Sequence, residues 1–473
     1  MYKFCFFFLC TLCLGQTLSA QRGLQNLRQS VLQNRPVIQQ SVNQAQQMLA
    51  TASEETAAQN ASLPTTQGKD YYVSASQGRG RLGTKAQPAK DLAAIISLLE
   101  AGDRVHIAAG VYRSKASRGS DIIEVPVSII GGYDESFSHR DPWGSLQTVF
   151  SGTNDYQKTQ TTERLAILTD KQFRQYEGRI LIDGIIIDNS ERNRYKTDAQ
   201  QQLMHKASPA AGQGPSPTLP GIRVRTGHET KVEIRNCVLI NCAATQGVLD
   251  VQIGRNGKAQ IVNNLLVNNS GESIYCKSKY HSNTGYPEFY VAHNTILFSW
   301  AFDPVASYGG SNIMMDNACK VVAEYNVLGF GDFGGVNNVK KALELQLNHN
   351  VFFGHTRFDY REFNTDLPLE ELEDYAEYLN PKSQGNRQAK IQLPLDQSWA
   401  KLYFGRNKMT REQLDASVSV ASTDANALRS MLGLNLQGSS NLPTVEIWLP
   451  RLALADALKL GLESYDGAGC QKP

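Results

Sequence analysis

The chain has 473 residues, 41% of them hydrophobic, with 47 Lys and Arg against 45 Asp and Glu. That apolar content and a formal charge of only +2 exclude a disordered polyelectrolyte, and there is no basic surplus to grip a nucleic-acid backbone. The length leaves two options, several average domains or one elongated repeat domain with additions.

Residues 1–20 (MYKFCFFFLCTLCLGQTLSA) read as a secretory signal peptide: Lys3 is the basic start, an apolar run follows, and Leu18-Ser19-Ala20 offers a small-residue cleavage site. The run is too short for a membrane span and no later stretch is long enough, so the expectation is an exported protein, secreted, periplasmic or at the cell surface. Without the signal, Cys237, Cys242, Cys276, Cys319 and Cys470 remain. An odd, sparse set is no disulfide scaffold, although Cys237 and Cys242 are near enough in sequence to pair. Residues 21–68, rich in Gln, Ala, Ser and Thr and broken by Pro36, read as a leader or linker.

Organised structure is expected from residue 69. Tyr71-Tyr72-Val73 reads as a strand, Asp91 to Glu100 as a short amphipathic capping helix, and Arg104 to Ala108 as an alternating strand. Gly78, Gly80 and Gly83 fit Gly-x-Gly-x-x-Gly, but Thr84 to Pro88 separate them from the helix, so its amides cannot meet a dinucleotide pyrophosphate there.

Repeats dominate residues 180–355. Five segments align on Asn236, Asn264, Asn294, Asn326 and Asn350, at spacings of 28, 30, 32 and 24. Two positions after each lies an apolar residue: Val238, Leu266, Ile296, Leu328 and Phe352. Such a period signals a solenoid, in which each coil buries its face only against its neighbours and a bend Asn forms a ladder with the next. A second strand recurs between the Asn segments: GIRVR (221–225), VLDVQ (248–252), SIYCK (273–277), NIMMD (312–316) and ALELQ (342–346). With a side-chain period of two, it presents two outward columns. One is Arg223, Asp250, Tyr275, Met314 and Glu344; the other is Arg225, Gln252, Lys277, Asp316 and Gln346. Residues 191–220 interrupt the period as a long polar loop, and 356–473, with helical stretches, read as a C-terminal extension packed on the end or side of the solenoid, where it shields the last coil.

These repeats, together with the opening YYVSASQGRGRLGTKAQPAKDLAAIISLLEAGDRVHIAAGVY and the later IIGGYDESFSHRDP, resemble the pectin-lyase-like superfamily over residues 71–355. The resemblance implies an all-β solenoid, a right-handed single-stranded parallel β-helix spanning 69–355, with an N-terminal capping helix and a partly helical C-terminal extension. It implies fold far more than activity, because that superfamily hosts many functions. Its polysaccharide lyases cleave uronates by β-elimination, which needs a cation to neutralise the carboxylate, a base and an acid. Mapped onto the outward columns and the loop after the third of these strands, which carries Lys279, Tyr280 and His281, Lys277 or His281 is the candidate base and Tyr275 the acid or stacking partner. Arg223 and Arg225, with Gln252, Glu344 and Gln346, are candidates for substrate binding, and Asp250 and Asp316 for Ca²⁺. The expected partner is an acidic, uronate-containing polysaccharide, bound or cleaved, with no nucleic acid and no membrane span. The alternative is a non-enzymatic carbohydrate-binding or structural module.

Overall fold

A strand of alternating apolar residues buries one side only, so it needs a second layer; here successive turns of one chain supply it. The computed structural model describes residues 68–114, 119–152, 163–190, 220–280, 285–301, 309–339, 344–376, 381–389, 451–462 and 465–473. The signal segment, the leader, the 191–219 part of the long loop, His281 and the stretches around 411–435 lie outside the described residues.

The described residues form a parallel β-helix of three strand stacks. The first stack begins at Asp70–Val73 and Arg104–Ala108, and later runs Lys231–Arg235, Lys258–Val262, Glu288–Ala292, Lys320–Glu324, Glu344–Asn348 and Lys382–Gln384, parallel throughout. The second stack includes Val238–Ile240, the start of Leu265–Ser278, Thr295–Trp300, Val327–Gly329 and Val351–Phe353. The third includes Leu165–Leu168, Ile222–Arg225, the end of Ala243–Ile253, the end of Leu265–Ser278, Ser311–Asp316, Gly334–Asn338 and Phe358–Glu362. One antiparallel strand, Thr365–Leu367, folds back on the last of these. No described helix is long and apolar enough to cross a membrane.

The core is a set of columns running down the inside. On the first stack, Val232, Ala259, Phe289, Val321 and Leu345 are in register and nearly inaccessible. On the third, Ile222, Leu249, Ile274, Ile313, Val336 and Tyr360 are fully buried. The parity read from the alternation is therefore the parity of the fold.

Two expectations shift by one residue or one element. The Asn ladder runs Asn264, Asn294, Asn326, Asn350 and Asn386, each amide nitrogen donating to the next Asn Oδ1 at 2.9–3.0 Å. In the preceding coil Cys237 holds the equivalent place, its backbone N–H donating to Asn264 Oδ1 at 2.9 Å. Asn236 sits one residue earlier, at the positive-φ corner shared with Asn263, His293, Tyr325 and His349. The inward column accordingly starts at Leu239, opposite Leu266, and not at Val238. Two adjacent asparagines at 263–264 make the alignment ambiguous on paper; the backbone chooses, because only the corner residue must adopt a left-handed conformation, which Asn tolerates.

The capping segment is two 3₁₀ turns, Leu92–Ala94 and Ile96–Leu98, in place of one α-helix. The Asp91 carboxylate accepts from the Ala94 amide at 3.1 Å, while Leu92, Ile95 and Leu99 drop into the open end of the first coil. The β-branched pair Ile95-Ile96 weakens helix propensity where the segment must bury three side chains within eight residues.

The outer side of the second stack is apolar and covered. Val238, Leu265, Val267, Leu297, Phe298 and Trp300 join Leu452, Leu458, Leu460 and Cys470 of the C-terminal segment in a second core. Helix Leu454–Gly461 lies there, and Asn241 exchanges hydrogen bonds with the backbone of Leu452 at 2.9 Å. The other described helix is Leu369–Ala376, just after the antiparallel strand. All five described cysteines are buried free thiols. Cys237 and Cys242 flank strand Val238–Ile240 at opposite corners, so they do not pair.

Candidate functional site

The third stack carries the outward columns. Arg223, Asp250, Tyr275 and Met314 are consecutive in register, and so are Arg225, Gln252, Lys277 and Asp316. The fifth members do not follow. Glu344 and Gln346 lie on the first stack, opposite Lys320 and Val322, and the first column continues instead through Asn337 and Arg361. ALELQ alternates like any strand here, and alternation alone cannot say which stack a strand joins. The offset to the ladder can: first-stack strands start six residues before Cys237, Asn264, Asn294, Asn326 and Asn350, and Glu344 keeps that offset.

The outward residues on the third stack form paired clusters. Asp250, fully buried, accepts from Arg223 Nε at 2.8 Å and from Gln252 Nε2 at 3.0 Å, and Arg223 also binds Glu163. Burial raises the Asp250 carboxyl above the usual range, although Arg223 and Gln252 oppose the rise. Two rungs on, Asp316 Oδ2 accepts from Tyr275 OH at 2.6 Å and faces Lys277 Nζ at 3.2 Å. Burial, then the Asp316 bond, pushes the Tyr275 phenol far above its ordinary value, which holds it as a donor to Asp316. Lys277 also lies 5.7 Å from the Tyr275 ring centroid.

This arrangement does not suit Ca²⁺. Asp250 and Asp316 occupy different columns and are each engaged by a protein cation, whereas calcium needs several convergent oxygens. Among the described residues no group of three or more His, Cys, Asp or Glu is placed to hold a metal ion.

At the edge of this face the chain opens a recess of about 400 Å³ lined by Asp170, Lys171, Arg174, His228 and Tyr280. It is built from turns that follow third-stack strands. Residues 169–174 follow Leu165–Leu168, 226–230 follow Ile222–Arg225, and 279–280 follow Leu265–Ser278. Asp170 is pinned behind the recess, with Arg225 Nε at 3.2 Å and Lys279 Nζ at 3.5 Å. Lys171 and Arg174 are exposed. His228 accepts from the Arg255 amide through Nδ1 at 3.0 Å, and its ring lies 5.0 Å from that of Tyr280. Burial, then Arg255, holds the imidazole below its ordinary pKa, and Glu229 only partly offsets this. Burial and Asp170 raise the Tyr280 phenol.

Sequence reading reached Arg225 and, as flanking residues, Lys279 and Tyr280; it missed Asp170, Lys171, Arg174 and His228. Their one signal was position, in the turn after successive third-stack strands. Other aromatic, His and Asp side chains of the coils are structural. Phe298 and Trp300 are buried, Phe298 stacks on Phe330, and Trp300 Nε1 donates to Asn268 at 3.2 Å. His293 and His349 are corner residues stacked on either side of Tyr325. Asp183 binds Arg140 and Arg235 at a corner, each at 3.0 Å.

No family model, curated protein or solved structure matches the chain.

Proposed function

We propose that this is an exported β-helix protein of the pectin-lyase-like kind that binds an acidic, uronate-containing polysaccharide along the outer face of the third stack. The observation that carries this reading is the recess. Lys171 and Arg174 line it with His228 and Tyr280, and the one carboxylate in its lining, Asp170, is already paired with two further cations, Arg225 and Lys279. A concave site with a positive balance on an otherwise neutral chain suits an anionic ligand, and the face beyond it adds Arg223, Gln252 and Lys277 for further sugar units. Binding is favoured over cleavage because Lys277 and Tyr275, the candidate base and acid among the described residues, are both engaged by Asp316.

The test is calorimetric titration of uronate polymers, with ultraviolet detection of any unsaturated product. Binding that weakens about tenfold in Arg174→Ala, persists in chelator and yields no product supports the reading. Product formation abolished by Lys277→Ala would replace it with a lyase. Absence of binding to every uronate polymer would refute it.

A further inference from the structure

We infer that His228 serves the recess as a hydrogen-bond donor of fixed direction, presenting Nε2–H to a ligand carboxylate while Arg174 and Lys171 supply the charge. This rests on the acidic-glycan reading above and specifies how that site recognises its ligand.

The geometry begins with Nδ1, whose lone pair is taken by the Arg255 backbone N–H at 3.0 Å. A neutral imidazole carries one N–H, so the proton resides on Nε2. Protonating the ring would set an Nδ1–H against the Arg255 N–H, donor facing donor, and forfeit that bond. Backbone contacts fix the residue's main chain: the His228 amide donates to Arg174 O at 2.6 Å, and His228 O accepts from the Tyr176 amide at 3.2 Å.

The charged and titratable groups around the ring disfavour a further positive charge. Arg255 comes from the following coil, Arg174 and Lys171 from the preceding one, and Tyr280 from a later one. The two carboxylates nearby are engaged, Glu229 by Gln175 Nε2 at 2.6 Å and Asp170 by Arg225 and Lys279. His228 therefore does not act as a pH switch, despite being a histidine in a polar recess. Nor does it act as a base at Nε2, which already bears the proton. A fixed donor of this kind recognises an oxygen by direction, while the two exposed cations attract it from a distance.

The experiment uses the full chain, an oligogalacturonate as probe and calorimetry at about pH 5.5 and about pH 7.5, a range in which uronate carboxylates stay ionised and an ordinary histidine changes charge. The expected result is equal affinity within about twofold at both values, a loss of about tenfold in His228→Leu, and near-native affinity in His228→Gln, whose amide restores a donor near Nε2. Ring ¹⁵N shifts should report the Nε2–H tautomer at both values. Affinity that climbs about tenfold on acidification, or a ring that titrates across the range, overturns the inference. So does undiminished binding in His228→Leu alongside weakened binding in Arg174→Ala, an outcome that leaves the glycan reading standing. A wild-type chain that binds no uronate refutes that reading and removes the ligand on which the inference depends.

Discussion

Glu272 shows how much one buried side chain can weigh. It lies inside the coil, accepts from the Ser311 amide at 2.7 Å, and burial pushes its carboxyl up to about 7. The folded state therefore holds this proton more tightly than the unfolded chain does. Its stabilising contribution is complete below the unfolded carboxyl range and is lost as pH rises through about 7. The loss is about 3 kcal/mol at 1.36 kcal/mol per pH unit. Urea denaturation at about pH 5 and about pH 8 should show that loss in the wild type and not in Glu272→Gln. An identical pH dependence in both proteins would contradict the assignment. Asn326 is a second such residue. Its Oδ1 accepts from the Asn294 amide and side chain, and its Nδ2 donates to Val291 O and Asn350 Oδ1, all at 2.8–3.0 Å. Asn326→Ala leaves these buried partners unsatisfied and should cost about 2–4 kcal/mol in denaturant titration.

At the scale of the element, the second and third stacks differ in what covers them. Helix Leu454–Gly461 places Leu460 and Leu458 on the apolar outer side of the second stack. Leu460→Ala should cost about 2–5 kcal/mol and quicken proteolysis near residue 451, since a cavity opens at a fully buried position. Unchanged proteolysis would mean that the helix is not docked through this residue. A buried Arg performs a comparable service near the N-terminal coils. Arg164 donates to Asp121 Oδ2 at 2.6 Å, to Tyr112 O at 2.7 Å and to Ser151 O. The third stack differs: most of the outward side chains from Arg223 to Asp316 are polar, Met314 excepted, and the turns after these strands form the recess.

At the scale of the molecule, each coil is held by its neighbours, so protection should follow position along the axis. Hydrogen exchange should be slowest in strands such as Lys258–Val262 and Thr295–Trp300, and fastest in the terminal strands Asp70–Val73 and Lys382–Gln384. Uniform protection would show instead that the coils unfold as one block.

The solenoid, the inward and outward parity and four rungs of the outer columns were legible in the sequence, because strand alternation and a bend Asn are local properties that every coil repeats. The recess was not. Asp170, His228 and Tyr280 are more than fifty residues apart from one another in sequence and meet only because coils stack at a fixed rise. For the same reason alternation alone could not assign Glu344 to its stack, pair the carboxylates of Asp250 and Asp316 with their cations, or show that an apolar C-terminal helix closes the second stack. Period and polarity are written in each coil; which side chains converge is decided by the stacking of coils upon one another.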